Sequence, residues 1–319
     1  MTAKAVHVLT FPDAQVLDVT GPLQVFASAN DICGQRGWPL PYCASVVAAE
    51  AGAIRSSSGL ALVAEALPGE ASDTLIIAGG WGVYEAAKDR QLVNWIERQA
   101  GRSRRVASVC SGAFLLAATG LLDGQRVVTH WSRCEELARL YPGLQVDADS
   151  IFIQQGKLWT CAGVTAGIDL ALALVEQDMG RSLALEVARQ LVVFLKRPGG
   201  QSQFSMALLL QQRDSRFGVL HEWIGQHLNL GLSVAVLAQQ AGMSERSFLR
   251  HYRAETGQTP ARAIELIRVE AARQLLSDTA APIKRIAAQC GFGSEETLRR
   301  SFARVMAVTP QAYRERFSA

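Results

Sequence analysis

Hydrophobic and polar positions follow two different patterns along the chain. Up to about residue 180, short β-rich runs alternate with stretches in which apolar residues recur with helical spacing. This alternation is typical of a flavodoxin-like α/β fold, in which a parallel sheet carries helices on both faces. The predicted strands are 5–10, 43–49, 74–79 and 105–109, the predicted helices are 22–31, 90–100 and 167–179, and 144–163 predicts two short strands around Gly156.

The pattern changes close to residue 196. The stretch "KRPGGQSQFS", residues 196–205, concentrates Pro, Gly, Gln and Ser, which is the composition of an exposed connector. Beyond it strand signals disappear, helical periodicity takes over, and Ser or Thr precedes several apolar runs as a predicted N-cap. We therefore predict an α/β domain at 1–196, a linker at 197–216 and an all-α domain at 217–319.

The all-α region contains one motif twice, at 234–260 and 283–310. Each copy predicts an apolar-faced helix, a Gly at the turn, and a Ser near the start of a second helix. The second helices are predicted at about 244–255 and 294–305, and a helix over 260–277 joins the two copies. A pair of this kind would present both second helices to successive major grooves of DNA, as paired helix-turn-helix motifs do.

The second helix of each copy has apolar anchors four residues apart. Phe248 and Tyr252 in the first copy, and Leu298 and Phe302 in the second, are expected to face the core. Arg can bind guanine with two hydrogen bonds, and Glu can accept a hydrogen bond from cytosine. A plain helical hairpin with solvated charges is the alternative for a single copy. The predicted DNA-contacting residues are Ser244, Arg246, Leu249, Arg250, Glu295, Glu296, Thr297 and Arg300.

Composition and charge agree with this division. The 319 residues are 49% hydrophobic and 19% charged, which is ordinary for a globular protein of about two domains. Residues 1–216 carry 19 Lys and Arg against 20 Asp and Glu, whereas residues 217–319 carry 13 against 9. The basic excess therefore lies in the all-α region, where a polyanion could bind.

Targeting segments and metal motifs are not evident in the sequence. No apolar run approaches the roughly 18 residues of a membrane span, and the first residues lack a signal-peptide core, so we expect a cytoplasmic protein without membrane partners. The six cysteines include no CxxC pair and no Cys/His cluster at metal spacing. We expect neither a disulfide framework nor a metal or cofactor.

A candidate nucleophile follows the fourth predicted strand. In "VASVCSGAF", Cys110 lies between a strand and a helix start, with the small flanking residues that a nucleophile elbow requires. A helix N-terminus lowers the pKa of a nearby thiol, so the elbow predicts an acidic Cys110. A buried, inert thiol in an apolar strand is the alternative.

Two further segments are predicted to meet Cys110 at the carboxyl edge of the sheet. "IIAGGWG", residues 76–82, ends a strand in Gly79 and Gly80, whose bare N–H groups could line a pocket. "LDVTGPLQVF", residues 17–26, places Asp18 between a strand and a helix that is expected to start at Gly21 or Pro22. Capping that helix start is the alternative role of Asp18.

The last hundred residues resemble the DNA-binding domain of the AraC/XylS family of bacterial transcription regulators. The second motif of that family characteristically reads "IA..CGF" and ends "TP..YR", as residues 286–292 and 309–314 do here. Ala307 is a departure, because the family usually has Gly at that position. The resemblance implies sequence-specific binding to double-stranded promoter DNA.

Residues 4–180 resemble the PfpI-type branch of the class I glutamine-amidotransferase-like superfamily, and more closely its isonitrile-hydratase-like members. The similarity rests on "LDVTGP", "AGG", "VCSGAFLLAATGLLDG" and "THW". It implies Cys110 as the elbow nucleophile, Asp18 as its acidic partner, Gly80 as a backbone donor, and His130 with Trp131 as a pocket wall. Ser111 stands where PfpI-type proteases have a histidine, which disfavours a Cys–His protease dyad.

Together the two regions resemble GlxA-type regulators over nearly the whole chain. That resemblance implies a homodimer that senses a small effector, such as an amine or amino-acid derivative, and that contacts promoter DNA and RNA polymerase. The predicted effector pocket comprises Asp18, Gly79, Gly80, Cys110, Ser111, His130 and Trp131. One alternative is a cysteine-dependent enzyme of the isonitrile hydratase or PfpI type. A further alternative is redox sensing through Cys110, although the sequence identifies no resolving cysteine.

Overall fold

The computed structural model describes residues 2–195, 201, 216–306 and 308–317. The chain forms two compact units, residues 1–197 and 198–319, and most contacts between residues fall within one unit or the other. Most of the predicted linker, and Ala307 of the predicted AraC-type domain, lie outside the described residues. The two units are described separately below.

A mixed eight-stranded sheet forms the centre of the first unit. Its strand order is β3-β4-β2-β1-β5-β6-β10-β9, and a separate parallel pair joins β7 to β8. The six inner strands run parallel, whereas the edge strands β3 and β9 are antiparallel to their neighbours. The strands are β1 (Lys4–Leu9), β2 (Tyr42–Ala48), β3 (Gly52–Arg55), β4 (Ala61–Ala66), β5 (Thr74–Ile77), β6 (Arg105–Val109), β7 (Arg126–Val128), β8 (Gln145–Asp147), β9 (Phe152–Gln155) and β10 (Leu158–Cys161).

Helices cover both faces of this sheet. One core joins the sheet to α1, α6 and α7, and the opposite core joins it to α3 and α4. The α/β class predicted from the alternating pattern is therefore confirmed. The helices are α1 (Val16–Gln35), α2 (Val83–Ala86), α3 (Arg90–Arg102), α4 (Gly112–Ala117), α5 (Cys134–Leu140), α6 (Ala166–Met179) and α7 (Arg181–Gln190), with a 3-10 helix at Trp131–Arg133.

This unit differs from the sequence prediction at the start of one helix and in four strands that were not predicted, β3, β4, β7 and β8. The helix expected from residue 22 begins at Val16, so Pro22 lies inside it rather than in its first turn. The strands β3 and β4 were not predicted, because their side chains are largely exposed and give a weak hydrophobic signal; Val63 is 80% exposed. The two strands around Gly156 form the predicted antiparallel pair.

The described part of the second unit is helical and encloses a single hydrophobic core. Ser233, Ser244 and Thr259 each cap a helix by accepting a hydrogen bond from a backbone N–H, as their positions before apolar runs predict. Its helices are α8 (Gly218–Gln226), α9 (Val234–Gln240), α10 (Glu245–Thr256), α11 (Pro260–Asp278), α12 (Ile283–Gln289), α13 (Glu295–Met306) and α14 (Pro310–Phe317). Across the described residues of both units, no helix is long and apolar enough to cross a membrane.

Candidate functional site

Cys110 lies in a sharp turn between β6 and α4. Its backbone has φ of +55°, a conformation that non-glycine residues rarely adopt and that surrounding structure must hold in place. The Cys110 N–H donates to the carbonyl of Cys161 at 3.1 Å. A Cβ on Gly163 would lie 2.1 Å from the Cys110 Cβ, so only glycine permits this approach. The neighbouring strand β10 and the loop after it thus hold the elbow.

Asp18 lies behind Cys110, in the first turn of α1. Its Oδ2 accepts a hydrogen bond from the Gly79 N–H at 3.0 Å, and its Oδ1 accepts one from the Val164 N–H at 2.7 Å. Gln15 is the N-cap residue of α1, and the alternative role of Asp18 as a helix-start cap is therefore wrong. The carboxylate instead ties together the loops that follow β5 and β10.

Burial raises the pKa of Asp18 to about 6. The two backbone hydrogen bonds, and a third from the Cys110 side chain, favour the charged carboxylate but do not compensate for the loss of water. The side chain is fully buried. Asp18 can therefore change protonation state close to neutral pH.

The acidic thiol predicted from the elbow is wrong. The pKa of Cys110 is raised well above its usual range, first by burial and then by the negative charge of Asp18. Hydrogen bonds with Ser111 favour the thiolate but are outweighed. The Cys161 thiol is fully buried beside it and also opposes ionisation. Cys110 is held as a neutral thiol, which is a weaker nucleophile than a thiolate.

The N–H groups of Gly79 and Gly80, which were predicted to line a pocket, already have acceptors within the protein. The Gly79 N–H donates to Asp18, and the Gly80 N–H donates to the Ser111 hydroxyl oxygen at 2.9 Å. The Ser111 hydroxyl in turn donates to the Gly80 carbonyl at 3.1 Å. Both glycine donors are therefore already used inside the protein.

A cavity of about 170 Å³ opens beside Cys110. Of the predicted pocket residues, Gly80, Cys110, Ser111 and His130 line it. Asp18 and Gly79 lie behind Cys110, and Trp131 adjoins His130 but is not among the lining residues. The cavity is also lined by seven residues that the sequence did not single out: Gln15, Ser57, Trp81, Tyr84, Ser132, Arg133 and Val164.

Aromatic and charged side chains form one wall of the cavity. The Arg133 guanidinium lies over the Trp81 ring at 4.5 Å and near the Tyr84 ring at 5.9 Å. Arg133 donates to Glu136 at 3.0 Å, and the Tyr84 hydroxyl donates to the same carboxylate oxygen at 2.9 Å. Trp81 directly follows the Gly79–Gly80 pair and Arg133 follows "THW", so proximity along the chain was the available signal for both.

His130 is already engaged with a neighbouring residue. Its Nδ1 lies 2.8 Å from the Ser132 hydroxyl oxygen and also accepts from the Ser132 N–H at 3.4 Å, which caps the 3-10 helix. Burial, and then the charge of Arg133, lower the pKa of His130. The ring is therefore favoured as neutral imidazole. Within the described residues, no group of three or more potential ligands is arranged to hold a metal ion.

The predicted DNA-contacting residues of the first motif lie on the exposed side of α10. Arg246, Leu249 and Arg250 are exposed, whereas the anchors Phe248 and Tyr252 are fully buried. Ser244 is also exposed, and its hydroxyl caps α10 by accepting from the Ser247 N–H at 3.3 Å. The anchors are buried as predicted, and the predicted contact residues on the exposed side are a serine, two arginines and a leucine.

The second motif presents a different surface. Glu295, Glu296 and Arg300 of α13 are exposed, but Thr297 is half-buried, and its N–H donates to the Ser294 hydroxyl oxygen at 3.1 Å. Arg299 donates two hydrogen bonds, both of 2.8 Å, to Glu296. This pairing holds the Glu296 carboxylate before any DNA arrives.

Comparison with known proteins places both units in families. Residues 4–177 match the DJ-1/PfpI family, and residues 237–316 match a helix-turn-helix domain. The HTH-type transcriptional regulator Rv1931c of Mycobacterium tuberculosis is 31% identical over 282 residues, which cover 81% of this chain and 100% of that protein. The chain belongs to the helix-turn-helix transcriptional regulators that carry a DJ-1/PfpI domain. As a member of this group it is a DNA-binding transcription regulator.

Further similarities cover different parts of this regulator. The HTH-type transcriptional regulator GlxA of Rhizobium meliloti is 28% identical over 307 residues, covering 93% of this chain and 90% of that protein. An isonitrile hydratase of Pseudomonas putida is 36% identical over 187 residues, covering 57% of this chain and 75% of that protein. A THiJ/PfpI family protein from Pseudomonas syringae superposes with a TM-score of 0.53 at 26% identity, covering 60% of this chain and 75% of that structure.

Proposed function

We propose that the DJ-1/PfpI unit of this regulator binds a small effector in the cavity beside Cys110, and that occupancy of the cavity changes promoter binding by the helix-turn-helix unit. The observation that carries the proposal is a cavity next to a thiol that is held neutral. Neither the Gly79 N–H nor the Gly80 N–H is free to stabilise an oxyanion there. Such a site is better suited to binding than to turnover.

We also propose that Arg250 of α10 and Arg300 of α13 contact the promoter. Both side chains are exposed. Removing an Arg that makes two hydrogen bonds to guanine weakens DNA binding by about 1–3 kcal/mol. Operator fragments are first enriched from genomic DNA with the full chain. The variants Arg250→Ala and Arg300→Ala are then expected to bind these fragments about tenfold more weakly or worse. Arg98→Ala, an exposed arginine on α3, is the control for lost charge.

Two results would count against this assignment. Unchanged operator affinity in both arginine variants would show that Arg250 and Arg300 do not contact the operator. Equal weakening by Arg98→Ala would show a general charge effect instead. Far-ultraviolet circular dichroism of each variant establishes that the fold survives.

The coupling between cavity and DNA has its own test. A compound that stabilises the full chain binds its native state, and its binding raises the thermal midpoint. The same compound is expected to change operator affinity, because a ligand that prefers one arrangement of the protein shifts the population. If operator affinity is the same with and without every compound that stabilises the chain, the sensing role is contradicted.

We further propose that the regulator acts as a homodimer, in the cytoplasm where the chromosome lies, and that it contacts RNA polymerase. Support comes from the resemblance to GlxA-type regulators. Sedimentation velocity of the full chain with and without operator tests the dimer. Transcription reconstituted from purified polymerase and operator tests the contact, since a regulator that alters polymerase recruitment changes transcript yield from a fixed DNA template.

A cysteine-dependent enzyme is the second candidate function. It is favoured by the strained backbone of Cys110 at a cavity and by the isonitrile hydratase relative. In that case the full chain hydrates an isonitrile without DNA, and Cys110→Ser abolishes turnover. A chain with no turnover of isonitriles, and a Cys110→Ser variant that keeps effector-dependent operator binding, would exclude it.

A further inference from the structure

We propose that the effector of this regulator is a small carboxylate whose charged group is held by Arg133, an inference that rests on the proposed sensing function. The cavity beside Cys110 is where the carboxylate would bind. Its volume of about 170 Å³ admits a small metabolite and is below the range of drug-sized pockets.

Charge is the first support. Arg133 is the one formally charged side chain among the described residues that line the cavity, and no carboxylate lines it. Asp18 lies behind Cys110 with both oxygens bonded to backbone N–H groups, and Glu136 lies outside the lining with its Oε2 bonded to Arg133 and Tyr84. An anion entering the cavity therefore meets a cation, whereas an amine meets no partner of opposite charge.

The geometry of Arg133 is the second support. Stacking on Trp81 and the bond from its Nη1 to Glu136 hold the guanidinium plane in place, and the side chain is only 26% exposed. Nε and Nη2 make no hydrogen bond with any residue that the structure describes. A planar guanidinium edge that is fixed in advance matches the two oxygens of a carboxylate.

The rest of the lining suits the remainder of such a molecule. Trp81 and Tyr84 supply apolar ring surface, and Gln15, Ser57 and Ser132 supply uncharged polar groups. Uncharged polar groups orient a ligand without requiring a second charge. A simple amine, one of the effectors expected from the family resemblance, is therefore disfavoured, whereas an amino-acid derivative qualifies through its carboxylate.

Matched probes separate the functional groups. The full chain is titrated by calorimetry with butanoate, butanamide and butan-1-amine, and with phenylacetate, phenylacetamide and 2-phenylethylamine. Within at least one set, the carboxylate is expected to bind and the amide and amine to bind at least about tenfold more weakly, since a hydrogen bond to a charged group exceeds a neutral one.

Variants assign the effect to Arg133. Arg133→Gln is expected to lose about ten- to hundredfold in affinity for the carboxylate. Arg133→Lys keeps the charge but not the planar edge, and is expected to lose less. Arg126→Gln removes an exposed arginine that pairs with Asp147 in the same unit, and serves as the control that keeps wild-type affinity.

Each contrary result is distinct. The carboxylate assignment is overturned if no carboxylate binds, if amides or amines bind as well, or if Arg133→Gln and Arg133→Lys both bind as the wild type does. Carboxylate binding that leaves operator affinity unchanged would instead contradict the sensing function while the ligand class stands. Operator binding that responds to amines alone would contradict the ligand class while sensing stands.

Discussion

The buried carboxylate of Asp18 lies beside the half-buried thiol of Cys110, and each affects the ionisation of the other. The negative charge of Asp18 adds to burial in raising the pKa of Cys110. The Cys110 side chain is in turn hydrogen-bonded to Asp18 and favours its charged form. A pair that shares this environment resists carrying two negative charges at once.

Asp18→Asn is expected to lower the pKa of Cys110 relative to the wild type, because the nearby negative charge is removed while burial remains. Alkylation of Cys110 by iodoacetamide should therefore be faster in the variant above about pH 6, where Asp18 is charged, and below the wild-type pKa of Cys110. Mass spectrometry of the Cys110 peptide measures the rate against pH. Asp123→Asn, at an exposed loop position, should leave the profile unchanged. Slower or equal alkylation in Asp18→Asn would contradict the coupling.

The pKa of Asp18 also predicts how stability depends on pH. A value of about 6 in the folded chain lies above the roughly 3.9 of an unfolded aspartate, so the folded state holds the proton more tightly. The resulting stability is fully present below about pH 4 and is lost as the pH rises through about 6.

Relative to Asp18→Asn, the wild type should lose about 3 kcal/mol of unfolding free energy between pH 4 and pH 7. Urea denaturation of both proteins at each pH gives the difference directly. The change should begin near pH 4 and level off above pH 6. Parallel profiles across this window would mean that Asp18 titrates normally.

The turns of the two helix-turn-helix motifs provide a matched pair of substitutions. Gly242 has φ of +65° and Gly291 has φ of +74°, so alanine is strained at both. A Cβ at Gly242 meets open space, but a Cβ at Gly291 would lie 1.7 Å from the Leu228 carbonyl oxygen. Gly242→Ala should cost about 1–2 kcal/mol, and Gly291→Ala distinctly more because backbone must also move.

Thermal and urea unfolding of the two variants, followed by the helical signal, tests this ranking in the full chain. The wild type and Gly101→Ala, at a site where a Cβ meets open space and φ is not positive, are the references. Equal losses in Gly242→Ala and Gly291→Ala would show that the Leu228 contact is not limiting.

Leu249 is expected to read a thymine methyl group. It is 42% exposed on α10 between the exposed Arg246 and Arg250, and an apolar contact with the thymine methyl is a common form of base readout. Replacing the contacted thymine by uracil, or Leu249 by alanine, should each weaken binding by about 1 kcal/mol, or roughly fivefold. The two changes together should cost little more than either alone.

Arg299 is the matched control for Leu249, because it occupies the corresponding position of α13 and is bonded to Glu296. Operators with each thymine replaced singly by uracil are titrated by fluorescence anisotropy. The uracil effect should persist in Arg299→Ala and vanish only in Leu249→Ala. Additive losses at every thymine would contradict the contact.

Local pattern predicted much of the fold. The four predicted strands of the sheet and the buried anchors Phe248, Tyr252, Leu298 and Phe302 were found because burial imposes a period of 2 in strands and 3.6 in helices. β3 and β4 were missed because strands with largely exposed side chains carry little of that signal. Residue 22 was expected in the first turn of a helix because proline favours that place, but packing extended α1 back to Val16.

The candidate site was predictable only in part. Small residues around Cys110 and the glycines after β5 marked the edge of the sheet where the cavity lies. The ionisation of Cys110 was not predictable, because helix α4 suggested a lower pKa while the dominant influences were burial and Asp18. Arg133 was not singled out, because nothing in the sequence showed that its guanidinium would stack on Trp81.

The sequence by itself determined the α/β class, the duplicated helix-turn-helix motif and the position of the Cys110 elbow, since each follows from residues close together in the chain. Tertiary structure alone decided what Asp18 contacts, which backbone N–H groups already have an acceptor, and which charged side chain lines the cavity. Asp18 bonds partners 61 and 146 residues away. Burial and the field of a neighbouring charge depend on distance in space, and that distance is settled only when the sheet and its loops are assembled.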